Sequence, residues 1–299
     1  MPNLHDIERR INSVSSTKQI TRTMQMVAAA KIRRASERVA AATPYSDSMT
    51  EMLANVAERA SGAENALLQK HDEVKRVLVV AVVSDRGLAG GFNSNVLREV
   101  EHLMKEKQAA GAEVSVIACG KKAVGYFAYR KIEPVLEFVG LSADPTVEEA
   151  SAVAAYAVNG YEAGDCDEVF VVYNHAKNAA EQQLRQELVL PIDPEVLKGA
   201  EGAEEKAADG AVAGELVFEP DAEGVLDVLL PAYVRSTFYH ALIDSAAAEQ
   251  AARRNAMKSA TDNANEMVET LTRLYNRVRQ GAITTEINEI VGGAAALED

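Results

Sequence analysis

The sequence predicts an α/β fold in which a central α/β domain lies between two long helices, one at each end of the chain, that pair as an antiparallel coiled coil. Three observations predict it. Residues 232–280 contain no glycine or proline, the N-terminal region carries a matching apolar repeat, and strands alternate with helices in between. A helix of that length spans roughly 70 Å, whereas a globular core covers only about three or four of its turns. The two long helices therefore need each other as partners.

The C-terminal helix carries a seam residue about every 3.5 positions, which is the spacing of a left-handed coiled coil. The seam consists of Val225, Leu229, Ala232, Ser236, Tyr239, Ile243, Ala246, Gln250, Arg253, Met257, Ala260, Ala264, Met267, Leu271, Leu274 and Val278. Further isoleucines continue the helix to about Val291, and the glycine pair at 292–293 is expected to end it. Pro231 is able to kink the first turns.

The N-terminal helix repeats the same spacing from its first turn. Its seam consists of Leu4, Ile7, Ile11, Val14, Lys18, Thr21, Gln25, Ala28, Ile32, Ala35, Val39, Ala42, Ser46, Met49, Leu53 and Val56. We expect Pro44 to disturb the helix, which resumes at Tyr45 and runs to about Arg59. Because the segment between the two helices has to bring the chain back, the pairing is antiparallel.

Both seams turn polar partway along their length. The polar positions are Lys18, Thr21 and Gln25 in the first helix and Gln250 and Arg253 in the last. Polar seam residues either set the register of a coiled coil or mark places where the helices part. Both interpretations remain open.

Composition limits the class of protein. The chain has 299 residues, of which 47% are hydrophobic, and its longest apolar run is Val77–Val83. That run is far shorter than the ~20 residues of a membrane helix, and the charged first ten residues do not resemble a signal peptide. Two cysteines are too few for a disulfide framework. We therefore expect a cytosolic protein without direct membrane insertion.

Charge is distributed unevenly. The net charge is −14, yet residues 1–43 hold eight basic and three acidic side chains, a local charge of +5. No aromatic residue is interleaved with these cations before Tyr45, and the overall charge opposes a phosphate backbone, so nucleic acid is not the expected partner. The basic region is either a solvated helix face or a surface that meets an acidic protein.

The middle of the chain alternates strands with helices. RVLVVAVVSD at 76–85 is the continuous apolar run of a strand that is buried on both faces. Further elements are predicted as strands at Glu113–Cys119, Glu168–Tyr173 and Glu187–Ile192 and as helices at Lys121–Arg130 and Thr146–Tyr161. This alternation predicts a doubly wound, parallel, Rossmann-like sheet.

The loop SDRGLAGGFNSN, residues 84–95, follows the first strand, where α/β folds bind phosphates. Its glycines match neither the dinucleotide pattern nor the Walker pattern, and no lysine follows them. We expect a tight turn in which Asn93 or Ser94 caps the next helix.

Catalytic and metal-binding patterns are missing from the sequence. The five histidines are scattered without ligand spacing, the two cysteines are single, and no nucleophile elbow is present. We predict no catalytic site, no cofactor and no metal, and we interpret Cys119 as a small buried hydrophobic residue.

The domain limits follow from these patterns. We expect the N-terminal shaft helix at 1–60, the central domain at 75–220 and the C-terminal shaft helix at 222–299. Residues 193–223 hold ten acidic and two basic side chains, and their alanine and glycine content is typical of a mobile loop. The acidic loop is placed at 193–215, and Leu216–Phe218 is expected to form a last strand.

Three segments carry specific motifs: IERRINSVSSTKQITRTMQMVAAAKIRRAS at 7–36, SDRGLAGGFN at 84–93, and AMKSATDNANEMVETLTRLYNRVRQGAITTEINEIVGGAAAL at 256–297. Together they closely resemble the gamma subunits of F-type ATP synthases, and the resemblance runs through the whole chain. It implies a central rotor shaft inside a ring of alpha and beta subunits, with catalysis on the beta subunits. The central domain would contact the epsilon subunit and the membrane c-ring. The implied location is peripheral, at the cytoplasmic face of the plasma membrane.

The resemblance also implies roles for five residues. Met24 matches a methionine that faces a beta-subunit loop, Arg279 and Gln280 match the catch positions, and Thr285 and Glu286 match a polar pair just beyond them. Counted from the two chain ends, Met24 and Arg279 are expected within about 20 Å of each other along the axis.

Two other functions remain open from the residues alone. One is a nucleotide-binding α/β enzyme built on residues 76–192, which would bind or turn over nucleotide by itself. The other is a static coiled-coil scaffold, which would tolerate being locked to its partner.

Overall fold

The computed structural model describes residues 3–59, 65–71, 73–178, 181–193 and 221–298. Its elements are α1 (Leu4–Arg59), β1 (Arg76–Val82), α2 (Phe92–Ala109), β2 (Glu113–Cys119), α3 (Lys121–Tyr129), β3 (Leu136–Phe138), α4 (Val147–Glu162), β4 (Glu168–His175), β5 (Gln183–Leu190) and α5 (Ala222–Glu298). Short 3-10 turns lie at Ala66–Leu68 and Leu141–Ala143. The chain divides into two compact units, one of residues 1–29 with 253–299 and one of residues 30–252.

The predicted fold class is confirmed, because long N- and C-terminal helices accompany a central sheet. The strand order is β3-β2-β1-β4-β5. The first four strands pair in parallel, as predicted, but β5 pairs antiparallel with β4. A parallel return needs a crossover of a dozen or more residues, and the chain between β4 and β5 is too short for one.

Each face of the sheet contributes to its own apolar cluster. Alternate residues of β1 point to opposite faces, which explains its uninterrupted apolar sequence. One cluster joins Val77, Val79, Ala81 and Val83 to α2 and α3. The other joins Leu78, Val80 and Val82 to α4, the end of α1 and the start of α5.

Helix α1 follows its predicted seam closely. All sixteen seam positions are buried or half-buried, and most other positions of the helix are exposed. The expected disturbance at Pro44 is wrong, because α1 continues through it to Arg59. Burial of Met49, Leu53 and Val56 in the core fixes the helix beyond the proline and outweighs the lost backbone hydrogen bond.

Helix α5 continues beyond the end near Val291 that the glycine pair predicted. It begins at Ala222 and runs to Glu298, so neither Pro231 nor the glycine pair ends it. Its first turns bury Leu226, Leu230 and Val234, which lie one or two positions away from the predicted seam. This face lies in the cluster that joins the sheet to α4 and the end of α1.

The later part of α5 follows its predicted seam only in part. Ile243, Ala246, Met257 and Ala264 are buried as predicted. Between residues 241 and 253, however, the helix is buried on every side, and not only along the seam. Met267 and Leu274 are 53% and 37% exposed, and the half-buried positions pass to Val268 and Tyr275. A straight helix of 3.6 residues per turn drifts away from a 3.5-residue repeat in this way.

Two predictions fall outside the described residues. They are the acidic loop beyond Asp193 and the last strand at Leu216–Phe218. None of the helices in the described ranges combines the length and the hydropathy that a membrane crossing requires.

Candidate functional site

The unit of residues 1–29 and 253–299 consists of two antiparallel helical segments. The Oγ1 atoms of Thr21 and Thr261 lie 2.8 Å apart, and Ile7 shares a groove with Leu271 and Leu274. Residue numbers therefore increase along α1 in the direction in which they decrease along α5. This register places the residue opposite Leu4 near position 278, so roughly the last twenty residues of α5 continue beyond the start of α1. We call residues 279–298 the overhang.

The structure separates one of the predicted contact residues from the other four. Met24 is half-buried on α1, at the level of about residue 258, whereas Arg279, Gln280, Thr285 and Glu286 are exposed on the overhang. The axial separation of Met24 and Arg279 is about 30 Å at 1.5 Å per residue. The expectation that they lie within about 20 Å of each other along the axis is wrong, because counting from the chain ends ignores the overhang.

The overhang also presents an apolar face. Ile283, Ile287, Ile290 and Val291 are 48%, 53%, 67% and 61% exposed. Their spacing of three and four residues places them on one side of the helix. Exposed apolar faces of this kind mark surfaces that meet another protein.

The glycine-rich loop after β1 is held together by its own side chains. Asn93 Oδ1 accepts hydrogen bonds from Ser84 N and Ser84 Oγ, both at 2.9 Å. Helix α2 begins at Phe92, and the cap position is Gly91, which supplies no side-chain hydrogen bond. Ser94 Oγ donates to Gly91 O at 3.1 Å. The prediction that Asn93 or Ser94 caps α2 is therefore wrong.

The same loop packs against α5. Ala89 and Phe92 form a small buried cluster with Ala248 and Ala252. Asn174 Nδ2 donates to Phe92 O at 3.0 Å, which ties the loop to the end of β4. The sequence signal for this contact is the run of alanines in α5, which allows other segments to approach the helix closely.

Asp85 occupies the crevice at the carboxyl ends of the strands. Its Oδ1 accepts from Lys121 N and Gly140 N, both at 2.9 Å, and its Oδ2 accepts from Ser142 N at 3.2 Å and Ser142 Oγ at 2.7 Å. Partial burial disfavours ionisation, but these hydrogen bonds outweigh it and hold the pKa of the Asp85 carboxyl below its ordinary value. The backbone N–H of Lys121, at the start of α3, could bind a phosphate. It donates to the Asp85 carboxylate instead.

We expect Asp85→Asn to lower the free energy of unfolding of the central domain by about 1–3 kcal/mol at neutral pH. The amide group of Asn cannot accept the hydrogen bonds that Oδ2 receives from Ser142. Since the folded-state pKa is lowered, this stabilisation is present above the ordinary pKa of Asp, about 3.9, and is lost as the pH falls through the folded value.

Urea unfolding at neutral and acidic pH measures this effect, with Glu106→Gln, at an exposed carboxylate of α2, as the control. The assignment fails if the Asp85 and Glu106 variants unfold alike.

A buried acidic residue that the sequence did not single out joins α5 to the end of β4. Asp244 is 2% exposed. Its Oδ2 lies 2.6 Å from His175 Nδ1, and its Oδ1 accepts from Ala176 N at 3.1 Å. Together with the loop contacts above, this pair holds the middle of α5 against the sheet.

The described ranges contain no group of three His, Cys, Asp or Glu side chains that could hold a metal ion. Cys119 is fully buried on β2, and burial raises the pKa of its thiol to about 12. Its side chain packs in the apolar cluster that joins the sheet to α4, as expected of a small hydrophobic residue.

Comparison with known proteins gives one consistent result. The family model described as ATP synthase matches residues 3–297. The ATP synthase gamma chain of Leptospira biflexa is 40% identical over 292 residues, covering 98% of both chains, and that of Desulforudis audaxviator is 44% identical over 301 residues, covering all of both.

Among solved structures, the central stalk and c-ring of Tetrahymena thermophila mitochondrial ATP synthase contains a similar chain. It is 26% identical with a TM-score of 0.57, over 81% of this chain and 99% of that one. A chain of the Euglena gracilis mitochondrial ATP synthase shares the fold at 20% identity and a TM-score of 0.66, over 98% of this chain and 94% of that one.

Proposed function

This chain belongs to the ATP synthase gamma chain family, and we propose that it turns as the central shaft inside a ring of alpha and beta subunits. In this role it transmits proton-driven rotation to the beta subunits, which carry out ATP synthesis or hydrolysis. The chain itself is not catalytic. It is peripheral to the cytoplasmic face of the plasma membrane.

The observation that carries the proposal is the overhang. Roughly twenty residues of α5 lie beyond the paired helix, and every side chain described there is exposed. An isolated helix of this length is marginal in water, so a surrounding partner would stabilise it. A ring that encloses the shaft supplies such a partner, and the five contact residues then face it: Met24, Arg279, Gln280, Thr285 and Glu286.

Charge supports a ring with acidic contact surfaces. Arg10 and Arg22 of α1 are exposed, as are Lys31, Arg33 and Arg34 further along the helix. Exposed cations at this density gain from carboxylates on a partner and steer its approach. We therefore propose that the beta subunits present acidic side chains to α1.

In this proposal the central domain contacts other subunits than the shaft does. We propose that the domain expected at 75–220 meets the epsilon subunit and the membrane c-ring, while the helices expected at 1–60 and 222–299 form the shaft. Nucleic acid is not a partner. No cofactor is proposed, because the loop that could bind a phosphate is held by Asp85 and Asn93.

Reconstitution tests the proposal. The purified chain should neither bind nor hydrolyse ATP, and addition of alpha and beta subunits should produce ATP hydrolysis that depends on the chain. Saturable ATP turnover by the purified chain, abolished by Arg86→Ala or Asn93→Ala, would instead identify a nucleotide-binding enzyme. The unit of residues 1–29 and 253–299 should be less helical alone than in the complex.

A further inference from the structure

An apolar pocket opens where α1, α4 and α5 meet, within the unit of residues 30–252. Its volume is about 280 Å³. An engineered protein cavity of about 150 Å³ holds benzene, so this pocket has room for an aromatic ring system with a short substituent. It is lined by Ala42, Tyr45 and Ser46 of α1, Val147 of α4, and Arg235, Ser236, Tyr239 and His240 of α5.

The pocket arises from small residues in the seams of the two long helices. Ala42 and Ser46 are consecutive seam positions of α1, and Ser236 is a seam position of α5. Their side chains are too short to fill the space that a larger seam residue, Met49, fills in the neighbouring core. Unfilled space loses dispersion contacts and apolar burial, and a ligand that fills it restores both.

Two tyrosines give the pocket its aromatic character. Tyr45 is 56% exposed, and Tyr239 is half-buried against the core. Val147, at the first turn of α4, adds an aliphatic side chain that is 48% exposed. Tyrosine rings pack well against a further aromatic ring, either stacked with an offset or edge to face. The walls therefore favour an aromatic ligand.

The charged side chains of the pocket favour an anion. Within the described ranges, neither Arg235 nor His240 forms a side-chain hydrogen bond or an ion pair. The carboxylate of Asp144, just before α4, is already paired with Arg38. A guanidinium group without a carboxylate partner offers a ligand carboxylate charge-assisted hydrogen bonds, which are stronger than neutral ones.

We propose that this pocket binds a small aromatic carboxylate, with its ring against the two tyrosines and its carboxylate on Arg235. A nucleoside triphosphate is the wrong class of ligand, because the volume is too small and one guanidinium group cannot neutralise three phosphates. None of the pocket residues belongs to the overhang, and the proposal does not depend on the proposed shaft function.

Fluorescence anisotropy with the full-length chain tests the proposal. Indole-3-acetate is the probe, and indole-3-acetamide is its uncharged counterpart of nearly the same shape. The chain contains no tryptophan, so either indole can be excited selectively while the chain is titrated into it. Far-UV circular dichroism checks that each variant keeps the helix content of the parent.

Four variants locate the site. Arg235→Gln removes the cation at an exposed position of α5, which the fold tolerates. Ala42→Leu and Ser236→Leu each fill the pocket from one of the two helices. Lys105→Gln is the matched control, because it removes an exposed cation of α2 that does not line the pocket.

We expect indole-3-acetate to bind the parent with a dissociation constant of about 1 mM or below, an affinity typical of ligands of this size. Indole-3-acetamide should bind about tenfold more weakly, because it lacks one charge-assisted hydrogen bond at an exposed site. Arg235→Gln should weaken the acetate by the same factor and leave the acetamide unchanged. Both leucine variants should abolish binding, and Lys105→Gln should bind like the parent.

Several results would overturn the proposal. Binding that does not saturate, or equal affinities for the acetate and the acetamide, would show that the pocket does not select an aromatic anion. Parent-like binding by Arg235→Gln or by a folded leucine variant would place the probe elsewhere, and weakening by Lys105→Gln would indicate unspecific attraction to cations. Displacement of the probe by ATP would contradict the assigned ligand class. These results come from the chain without its ring, so they leave the shaft function to its own test.

Discussion

Substituting lysine for Met24 should lower the coupling of ATP hydrolysis to rotation while the complex still assembles. Met24 is half-buried on a helix that already carries exposed cations. In the proposed ring, a lysine there adds an ammonium group that forms a charge-assisted hydrogen bond with one of the beta-subunit carboxylates proposed to face α1. This bond, worth about 1.5–3 kcal/mol, would have to break at each step of the rotation.

The new ammonium group would lie far from Arg279. Met24 and Arg279 are about 30 Å apart along the axis, so the new ammonium does not compete directly for the partner of Arg279. It acts on its own at a different height of the ring. A barrier increase of 1.5–3 kcal/mol corresponds to a rate decrease of roughly tenfold to a hundredfold.

Met26→Lys is the matched control, because Met26 lies two residues away and is 59% exposed, so it adds the same charge on another face of α1. Met24→Leu controls for loss of the thioether. Rotation and proton pumping are measured on purified complexes of equal subunit composition. If Met24→Lys couples normally, or if Met26→Lys is equally damaging, Met24 does not face a beta-subunit carboxylate.

The second large effect concerns the apolar face of the overhang. We expect Val291→Asp and Val291→Lys to slow ATP-driven rotation more than deletion of residues 292–299 does. Helix α5 continues past Val291 to Glu298, so the substituted side chain stays on a formed helix beside Ile287 and Ile290. The free energy of an apolar contact between shaft and ring depends little on the rotation angle of the shaft. A charge instead adds a desolvation cost at each position of the ring.

Deletion removes a contact that the remaining shaft replaces in part. The control for added charge is Ala282→Asp, which lies away from the apolar face of the overhang. Rotation rates under equal load compare the four variants with the parent. Charged Val291 variants that rotate at the parent rate, or a truncation that is slower than they are, would remove the apolar face from the mechanism.

The packing of each helix determines how much of its buried face the sequence predicts. The α1 seam was predictable at every position because α1 buries one narrow stripe and exposes the rest. Residues 241–253 of α5 were not, since a helix that is buried on all sides has no periodic pattern to detect. Near the start of α5 the buried positions are Leu226 and Leu230, one residue after the predicted seam positions. That shift depends on the sheet and helices with which they pack.

Features that depend on distant residues were the hardest to predict. The glycine-rich loop suggested a phosphate site or a capped helix. Instead, its Asp85 carboxylate accepts from backbone groups of Lys121 and Gly140, and its Asn93 amide oxygen accepts from Ser84 N within the loop. The start of α4 was predictable, because Thr146 and Glu149 form a capping box within four residues. The overhang could not be derived from sequence, since it depends on which residues of the two helices lie opposite each other, as Thr21 and Thr261 do. The partner roles of Met24, Arg279, Gln280, Thr285 and Glu286 remain predictions.

The central claim is that the chain turns within its ring, and a reversible lock between the two tests it most directly. Ile20 is 60% exposed on α1, so Ile20→Cys can form a disulfide with a cysteine placed on the facing surface of a beta subunit. ATP hydrolysis and proton pumping by the assembled complex should fall to background on oxidation and recover on reduction. Full activity in the fully cross-linked complex would contradict rotation and would identify the paired helices as a static scaffold.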